Sequence, residues 1–259
     1  MPFNVIGFAE ATPGTGTVPL TAALGDNLYS WNGDYIKITQ EAPYVIGVFA
    51  IGTSTLGDIL LRQAKMIDYA IKKTSLVADV APLCSFTNYM GRPLPLRADN
   101  LSALVINATD EASLVGVFLA DGKITQAMLD TVNPTHVISG YSDTTVTALT
   151  WTHVPITWNQ TLDAGTYEVV GMRCTIFGQS EMGLARLSIP GNKTWMPGVP
   201  AAQASADHEE WQSLEKMPLC DWPLMGVRFT VPGQMPNIEV LAIAADTDEN
   251  VELTLQKIA

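Results

Sequence analysis

Four short blocks of similar sequence occur in the same order in the two halves of this 259-residue chain, and this repeat limits the fold more than any other feature. The blocks pair residues 44–48 with 167–172, 52–57 with 178–183, 82–91 with 218–226, and 103–117 with 241–255. Their separation grows from 123 positions (Tyr44 to Tyr167) to 138 positions (Asp110 to Asp248), as insertions in the loops of the second copy would require. Similar blocks that occur in the same order are typical of duplicated domains, so the sequence predicts an internal duplication.

The repeat also predicts how the chain is divided. We expect two similar domains and a connector, at residues 1–122, 139–259 and 123–138 respectively. Within the connector, residues 124–130 have the pattern of a short helix. The third block places Cys84 and Cys220 at equivalent positions, so each is predicted to fill the same core position in its own domain.

Local patterns favour β-strands in both halves. Apolar and polar residues alternate at 35–39, 145–156 and 251–258, and turn-forming residues separate such runs at short intervals. In the last of these runs, Ile258 is expected to lie near the core. The fourth repeat block predicts a hairpin in each half. Residues 58–73 begin like a strand, and their remainder fits either a helix or a loop.

The predicted fold class is all-β, with two tandem β-sandwich domains that are jelly-roll-like and related by internal duplication. Other β-sandwich topologies fit the same pattern. A composition of 47% hydrophobic and 15% charged residues excludes a disordered chain, because so much apolar material collapses in water.

Charge and cysteine content narrow the function classes. The net charge of −12 argues against nucleic-acid binding, because contacts to phosphates need a basic surface. The longest apolar stretch, residues 44–51, is far shorter than the roughly 18 residues of a membrane span. The first residues lack the pattern of a signal peptide, so export by the general secretory route is not expected. Cys84, Cys174 and Cys220 suggest buried thiols in a reducing compartment rather than a disulfide framework.

Motifs that approach catalytic or metal sites are better explained as turns. Residues 178–183 resemble the G-x-S-x-G nucleophile elbow but have one residue too many, and residues 52–57 repeat them in the other half. Residues 246–250 match the first ligand positions of an EF-hand loop, yet Val251 stands where that loop needs glycine. The three histidines have no spacing suited to a shared metal ion. We therefore predict no enzyme activity, no catalytic residue, no cofactor and no metal site.

Two tryptophans lie on a long surface loop predicted at residues 190–216. Trp195 and Trp211 stand there with several prolines and an acidic cluster. Tryptophan is enriched both at protein interfaces and on sugar-binding platforms. We predict that both tryptophans are interface residues, with a carbohydrate platform as the alternative.

Several segments of the second half resemble virus and bacteriophage structural proteins built from β-sandwiches. These segments are residues 167–172, 185–191, 195–198, 225–226 and 236–246. A tandem pair of such domains in a chain of this length is similar to a compact double jelly-roll capsid protein, and in style to larger decoration proteins of phage heads. The resemblance implies a virion structural protein that forms or decorates an icosahedral capsid shell by self-assembly.

The same resemblance implies the partners and the location. Copies of this chain, with homotrimers expected, and other capsid proteins are the predicted partners, without direct nucleic-acid contact or a membrane span. Three copies of two similar domains would give pseudo-hexagonal symmetry. The protein would be made in the host cytoplasm and lie in the capsid shell or on its outer surface. A tandem carbohydrate-binding, lectin-like module using Trp195 or Trp211 is the alternative function, followed by a hydrolase on a β scaffold.

Overall fold

The computed structural model describes a fold built from strands. It describes residues 3–23, 25, 30–38, 44–52, 58–63, 69–72, 74–75, 86–88, 94–96, 99–121, 133–176, 182–192, 196, 198–203, 227–245 and 247–259. Within these residues the chain forms 21 β-strands and no helix. The predicted all-β class is therefore confirmed, with curled and mainly antiparallel sheets that form half-barrels.

The first half contributes twelve of these strands. They are β1 (Phe3–Glu10), β2 (Gly16–Ala22), β3 (Ser30–Asn32), β4 (Tyr35–Lys37), β5 (Tyr44–Gly52), β6 (Asp58–Gln63), β7 (Tyr69–Lys72), β8 (Thr74–Ser75), β9 (Phe86–Asn88), β10 (Leu94–Pro95), β11 (Asn100–Asn107) and β12 (Ser113–Ala120). Strands in the order β9-β5-β12-β1 form the layer that we call sheet A1. Strands in the order β2-β11-β6-β7 form the second layer, sheet B1.

The second half contributes the other nine strands. They are β13 (His136–Ser142), β14 (Thr152–Val154), β15 (Thr157–Trp158), β16 (Gly165–Ile176), β17 (Met182–Ser188), β18 (Gly198–Gln203), β19 (Val227–Val231), β20 (Asn237–Ala242) and β21 (Glu249–Lys257). Sheet A2 has the order β19-β16-β21-β13, and sheet B2 has the order β14-β20-β17-β18. A short parallel pairing of β18 with β16 connects the two layers.

Alternating side chains fill the space between the two layers of the first half. Ile6 of β1, Val117 of β12, Leu61 of β6 and Val105 of β11 belong to one buried cluster between sheets A1 and B1. Strand β12 is buried along its whole length. Its alternate residues, such as Phe118, belong to a different cluster that includes the second half. A strand covered on both faces is apolar throughout, which explains why β12 lacks alternation.

A β-bulge lies in one strand of sheet A1 and in one strand of sheet A2. The register between β5 and β12 shifts at Ile46, which Gly47 directly follows. The register between β16 and β21 shifts at Val170, which Gly171 directly follows. An extra residue of this kind bends its strand and increases the local twist, and therefore helps a sheet to curl.

The predicted strands at residues 35–39 and 251–258 are confirmed as β4 and β21. Ile258 is 44% exposed rather than near the core, because it lies beyond the last paired residue of β21. Residues 145–156 form a continuous strand only at β14. Leu149 adopts a positive φ of 58°, which breaks the extended run.

Two further expectations are corrected. Tyr69–Lys72 is strand β7, so both the helix and the loop alternatives are wrong for this part of residues 58–73. The hairpins predicted for the fourth block are also wrong, because β11 pairs with β2, β4 and β6 rather than with β12, and β20 pairs with β14 and β17 rather than with β21. The helix pattern at residues 124–130 lies outside the described residues. The domain limits stay a prediction.

Candidate assembly surfaces

The two halves meet through the outer face of sheet A1 and the outer face of sheet B2. Gly7 of β1 and Gly116 of β12 are paired neighbours on sheet A1. The side chains of Leu184 of β17 and Leu241 of β20 lie directly against these glycines. A Cβ atom on Gly116 would lie 2.8 Å from Leu184 Cδ2, so a larger residue would force the leucine to move. The two glycines therefore form a socket for the two leucines.

A buried arginine connects the same two sheets. Arg186 of β17 donates hydrogen bonds from Nε and Nη2 to Glu239 Oε2, at 2.9 and 2.6 Å. Its Nη1 donates to the backbone oxygen of Val5 in sheet A1, at 3.1 Å. The guanidinium also lies 4.0 Å from the centroid of the Trp151 ring. Arg186 is fully buried and Glu239 is 12% exposed, so this ion pair is well shielded from water.

A hydrogen bond between Met196 and Asn4 adds to this interface. The backbone nitrogen of Met196 donates to Asn4 Oδ1 at 3.0 Å, and both residues are buried. Trp195 precedes Met196, but Trp195 and Trp211 both lie outside the described residues, and their interface role stays a prediction. Cys84 and Cys220 also lie outside them. Cys174 is buried, as predicted.

The outer faces of sheets A2 and B1 carry exposed apolar side chains. On sheet A2, Val137 is 56% exposed and Tyr141 is 44% exposed. On sheet B1, Ile106 is 38% exposed, and Leu60 and Leu104 are half-buried. In the described part of the chain, Ile258 is the other large apolar residue with such exposure. Apolar patches on an outer sheet face are typical of interaction surfaces.

Sheet A2 also carries a polar cleft of about 310 Å³ on the same outer face. Its lining includes Ser139, Asn159, Arg173, Thr175, Asn250 and Glu252. Arg173 of β16 and Glu252 of β21 are paired across the sheet. The backbone nitrogen of Ser139 donates to Gln160 Oε1 at 2.7 Å, which fixes one wall of the cleft. The cleft offers hydrogen-bond donors, acceptors and one charge of each sign, so it suits a polar ligand or a polar protein surface.

The described residues give little indication of catalysis or metal binding. Among them, no group of three His, Cys, Asp or Glu residues could hold a metal ion. The His136 ring packs edge-on against Tyr167 at 5.4 Å. Asp248 of the EF-hand-like segment is exposed, and Asp246 lies outside the described residues. The described ranges contain no helix that is long and apolar enough to cross a membrane.

Sequence reasoning did not identify Gly7, Gly116 or Arg186 as interface residues. A signal for two of these positions is present in the chain. Residues 2–6 and 134–138 share Pro-x-x-Val-Ile at the start of β1 and β13, which marks the segment around Gly7. Leu-x-Arg occurs both at residues 60–62 and at residues 184–186, which marks Arg186.

No protein-family model matches this chain, and no curated protein sequence matches it either.

Proposed function

We propose that this chain is a virion structural protein, made of two jelly rolls related by internal duplication, which forms or decorates an icosahedral capsid. In a jelly roll the eight strands form four nested antiparallel pairs: first with eighth, second with seventh, third with sixth, and fourth with fifth. The first half has the pairs β1·β12, β2·β11, β5·β9 and β6·β7. The second half has the pairs β13·β21, β14·β20, β16·β19 and β17·β18. This nesting in both halves supports the jelly-roll assignment.

Further matches support the duplication. The third strand of the nested set also makes a short parallel pairing in each half. This strand is β5, paired with β8, in the first half and β16, paired with β18, in the second. The bulges at Ile46 and Val170 occupy the same strand of the nested set, and each precedes a glycine. Bulges are retained features within a fold family rather than accidents, so a shared position argues for a common origin.

The packing between the halves carries the functional proposal. Sheet A1 of the first half packs its outer face on sheet B2 of the second half. This contact joins two different faces of similar domains, and such head-to-tail contacts close into rings or extend into filaments when they are repeated between chains. Three chains would give a ring of six similar domains, which is the homotrimer expected for an icosahedral shell.

The net charge supports a place on the outside of the particle. The chain carries −12 at neutral pH, whereas a surface in contact with packaged nucleic acid gains from Lys and Arg. Within the proposed function, we therefore favour the capsid shell or its outer surface, with copies of the chain and other capsid proteins as partners.

We expect the purified protein to run as a homotrimer in size-exclusion chromatography with light scattering, at three times the monomer mass. Electron microscopy of native particles should show it in the shell or on its surface. A protein that stays monomeric at every concentration and never joins particles would overturn the proposal.

The polar cleft on sheet A2 favours one alternative, a carbohydrate-binding module. Asn159, Asn250 and Glu252 provide the amide and carboxylate groups that recognise sugar hydroxyls. A glycan array separates the two functions, because a module of this kind binds a defined sugar and loses binding with Asn250→Ala. A clean array together with a trimer in solution would remove the alternative.

A further inference from the structure

We propose that a second copy of this chain docks its sheet B1 onto sheet A2 of the first copy. The contact would repeat, between chains, the contact that joins sheets A1 and B2 within one chain. Leu60, Leu104 and Ile106 on one copy would meet Val137 and Tyr141 on the next. This inference rests on the proposed function through the duplication, and it names the residues through which copies associate.

The bulges align sheet A2 with sheet A1 residue by residue. The pair that follows the bulge is Gly47–Phe118 in A1 and Gly171–Thr254 in A2. Phe118 pairs with Val5 across the sheet, and Thr254 pairs with Val137. Val137 is therefore the counterpart of Val5. Two and four positions later, Ser139 is the counterpart of Gly7, and Tyr141 is the counterpart of Ala9.

A second alignment relates sheet B1 to sheet B2. Leu60 follows Gly47 by 13 positions, and Leu184 follows Gly171 by 13 positions. Both leucines begin a Leu-x-Arg segment. The cross-strand partners agree, because Leu60 pairs with Leu104 and Leu184 pairs with Leu241. The residues that enter the glycine socket within the chain therefore have counterparts, Leu60 and Leu104, on the outer face of sheet B1.

Residues at the contact within the chain are buried, whereas their counterparts on sheets A2 and B1 are more exposed, as expected for a surface that a second copy would cover. Val5 is 0% exposed between the halves, whereas Val137 is 56% exposed. Ala9 is 1% exposed, whereas Tyr141 is 44% exposed. On the other face, Leu184 and Leu241 are fully buried, whereas Leu60 and Leu104 are half-buried. These four buried positions thus have apolar counterparts that are half-buried or exposed, whereas the polar Thr254 is the counterpart of the buried Phe118.

The contact between chains would be shallower and more polar than the contact within the chain. Ser139 and Glu252 stand where Gly7 and Gly116 form the socket, so the leucines of the second copy cannot sink as deeply. Exposed Arg62 takes the place of Arg186, and Glu252 presents a carboxylate on the facing surface. Charge complementarity of this kind orients a contact and makes it sensitive to salt. We expect a reversible association rather than a permanent one.

The test uses three matched variants of the full chain, Ile106→Lys on sheet B1, Val137→Lys on sheet A2 and Ile258→Lys outside both faces. All three replace an exposed apolar residue by the same charge. Light scattering should show the Ile106→Lys and Val137→Lys proteins as monomers, with at least a tenfold weaker association, and the Ile258→Lys protein as the trimer. An unchanged denaturation midpoint for each variant shows that folding is intact.

Mixing the first two variants gives the decisive result. Each keeps one intact face, so an equimolar mixture should form one-to-one dimers that neither protein forms alone. If the wild type is trimeric and both face variants remain trimeric, the docking surface is wrong and the proposed function stands. If the wild type is monomeric and joins no particle, the proposed function fails. If the variants are monomeric but the mixture forms no dimer, sheet B1 of one copy does not dock on sheet A2 of the next, and the head-to-tail proposal is overturned.

Discussion

Replacing Arg186 by methionine is expected to lower the free energy of unfolding by about 3–5 kcal/mol, the usual loss when one partner of a buried ion pair is removed. The carboxylate of Glu239 would stay in a shielded position without its two hydrogen bonds. The backbone oxygen of Val5 would also lose its bond from Nη1. Urea denaturation followed by tryptophan fluorescence measures the change.

The chain contains a matched control for this prediction. Arg228 and Glu168 form a comparable ion pair at 2.8 Å, but Arg228 is 64% exposed. Arg228→Met should therefore cost less than about 1 kcal/mol. Adding Glu239→Leu to Arg186→Met should recover part of the loss, because the uncompensated charge is removed. Equal losses in the free energy of unfolding for Arg186→Met and Arg228→Met would contradict the assignment of Arg186 and Glu239 as an ion pair buried at the contact between the halves.

Leu184→Ala is the second substitution for which we expect a large effect, a loss of about 2–5 kcal/mol in the free energy of unfolding. The side chain of Leu184 is fully buried and fills the socket at Gly7 and Gly116. Truncation would leave a cavity between two sheets whose backbones cannot easily move together. Denaturation in urea at matched protein concentration is the measurement.

Leu60→Ala is the control, because the proposed duplication makes Leu60, on the outer face of sheet B1, the counterpart of Leu184. It is half-buried, so we expect it to cost less than half as much stability as Leu184→Ala. The same substitution should weaken association between copies. A result in which Leu60→Ala costs the chain as much stability as Leu184→Ala would show that the two leucines do not differ in burial as described.

Strand content was predictable because its signals are local. Alternation at residues 35–39 and 251–258 identified strands β4 and β21. The choice of strand partners was not predictable in this way. A polar turn between two apolar runs serves a hairpin and a crossing between layers equally well. The fourth block therefore suggested a hairpin, although β12 pairs with β1 and β11 pairs with β2.

The surface between the halves was harder to predict for a related reason. Gly7 and Gly116 contribute by lacking side chains, and glycine at an interface has no periodic signature. Arg186 stands in an otherwise apolar strand, where a lone charge gives no indication of its partners. The positions of the two bulges also imply a different alignment of the two halves from the one that the second sequence block implies. They give a separation of 124 positions between Gly47 and Gly171, whereas the block match of Gly57 with Gly183 requires 126.

The nested strand pairs have a consequence for synthesis of the chain. Because β1 pairs with β12, the N-terminal strand has to wait until Ala120 has left the ribosome before sheet A1 can be completed. Pairings so distant along the chain slow folding. After that, Leu114 and Phe118 on the outer face of sheet A1 still await Leu241 of sheet B2. During this interval the nascent chain exposes this apolar surface, so ribosome-bound intermediates of this length are the stage at which aggregation competes with folding.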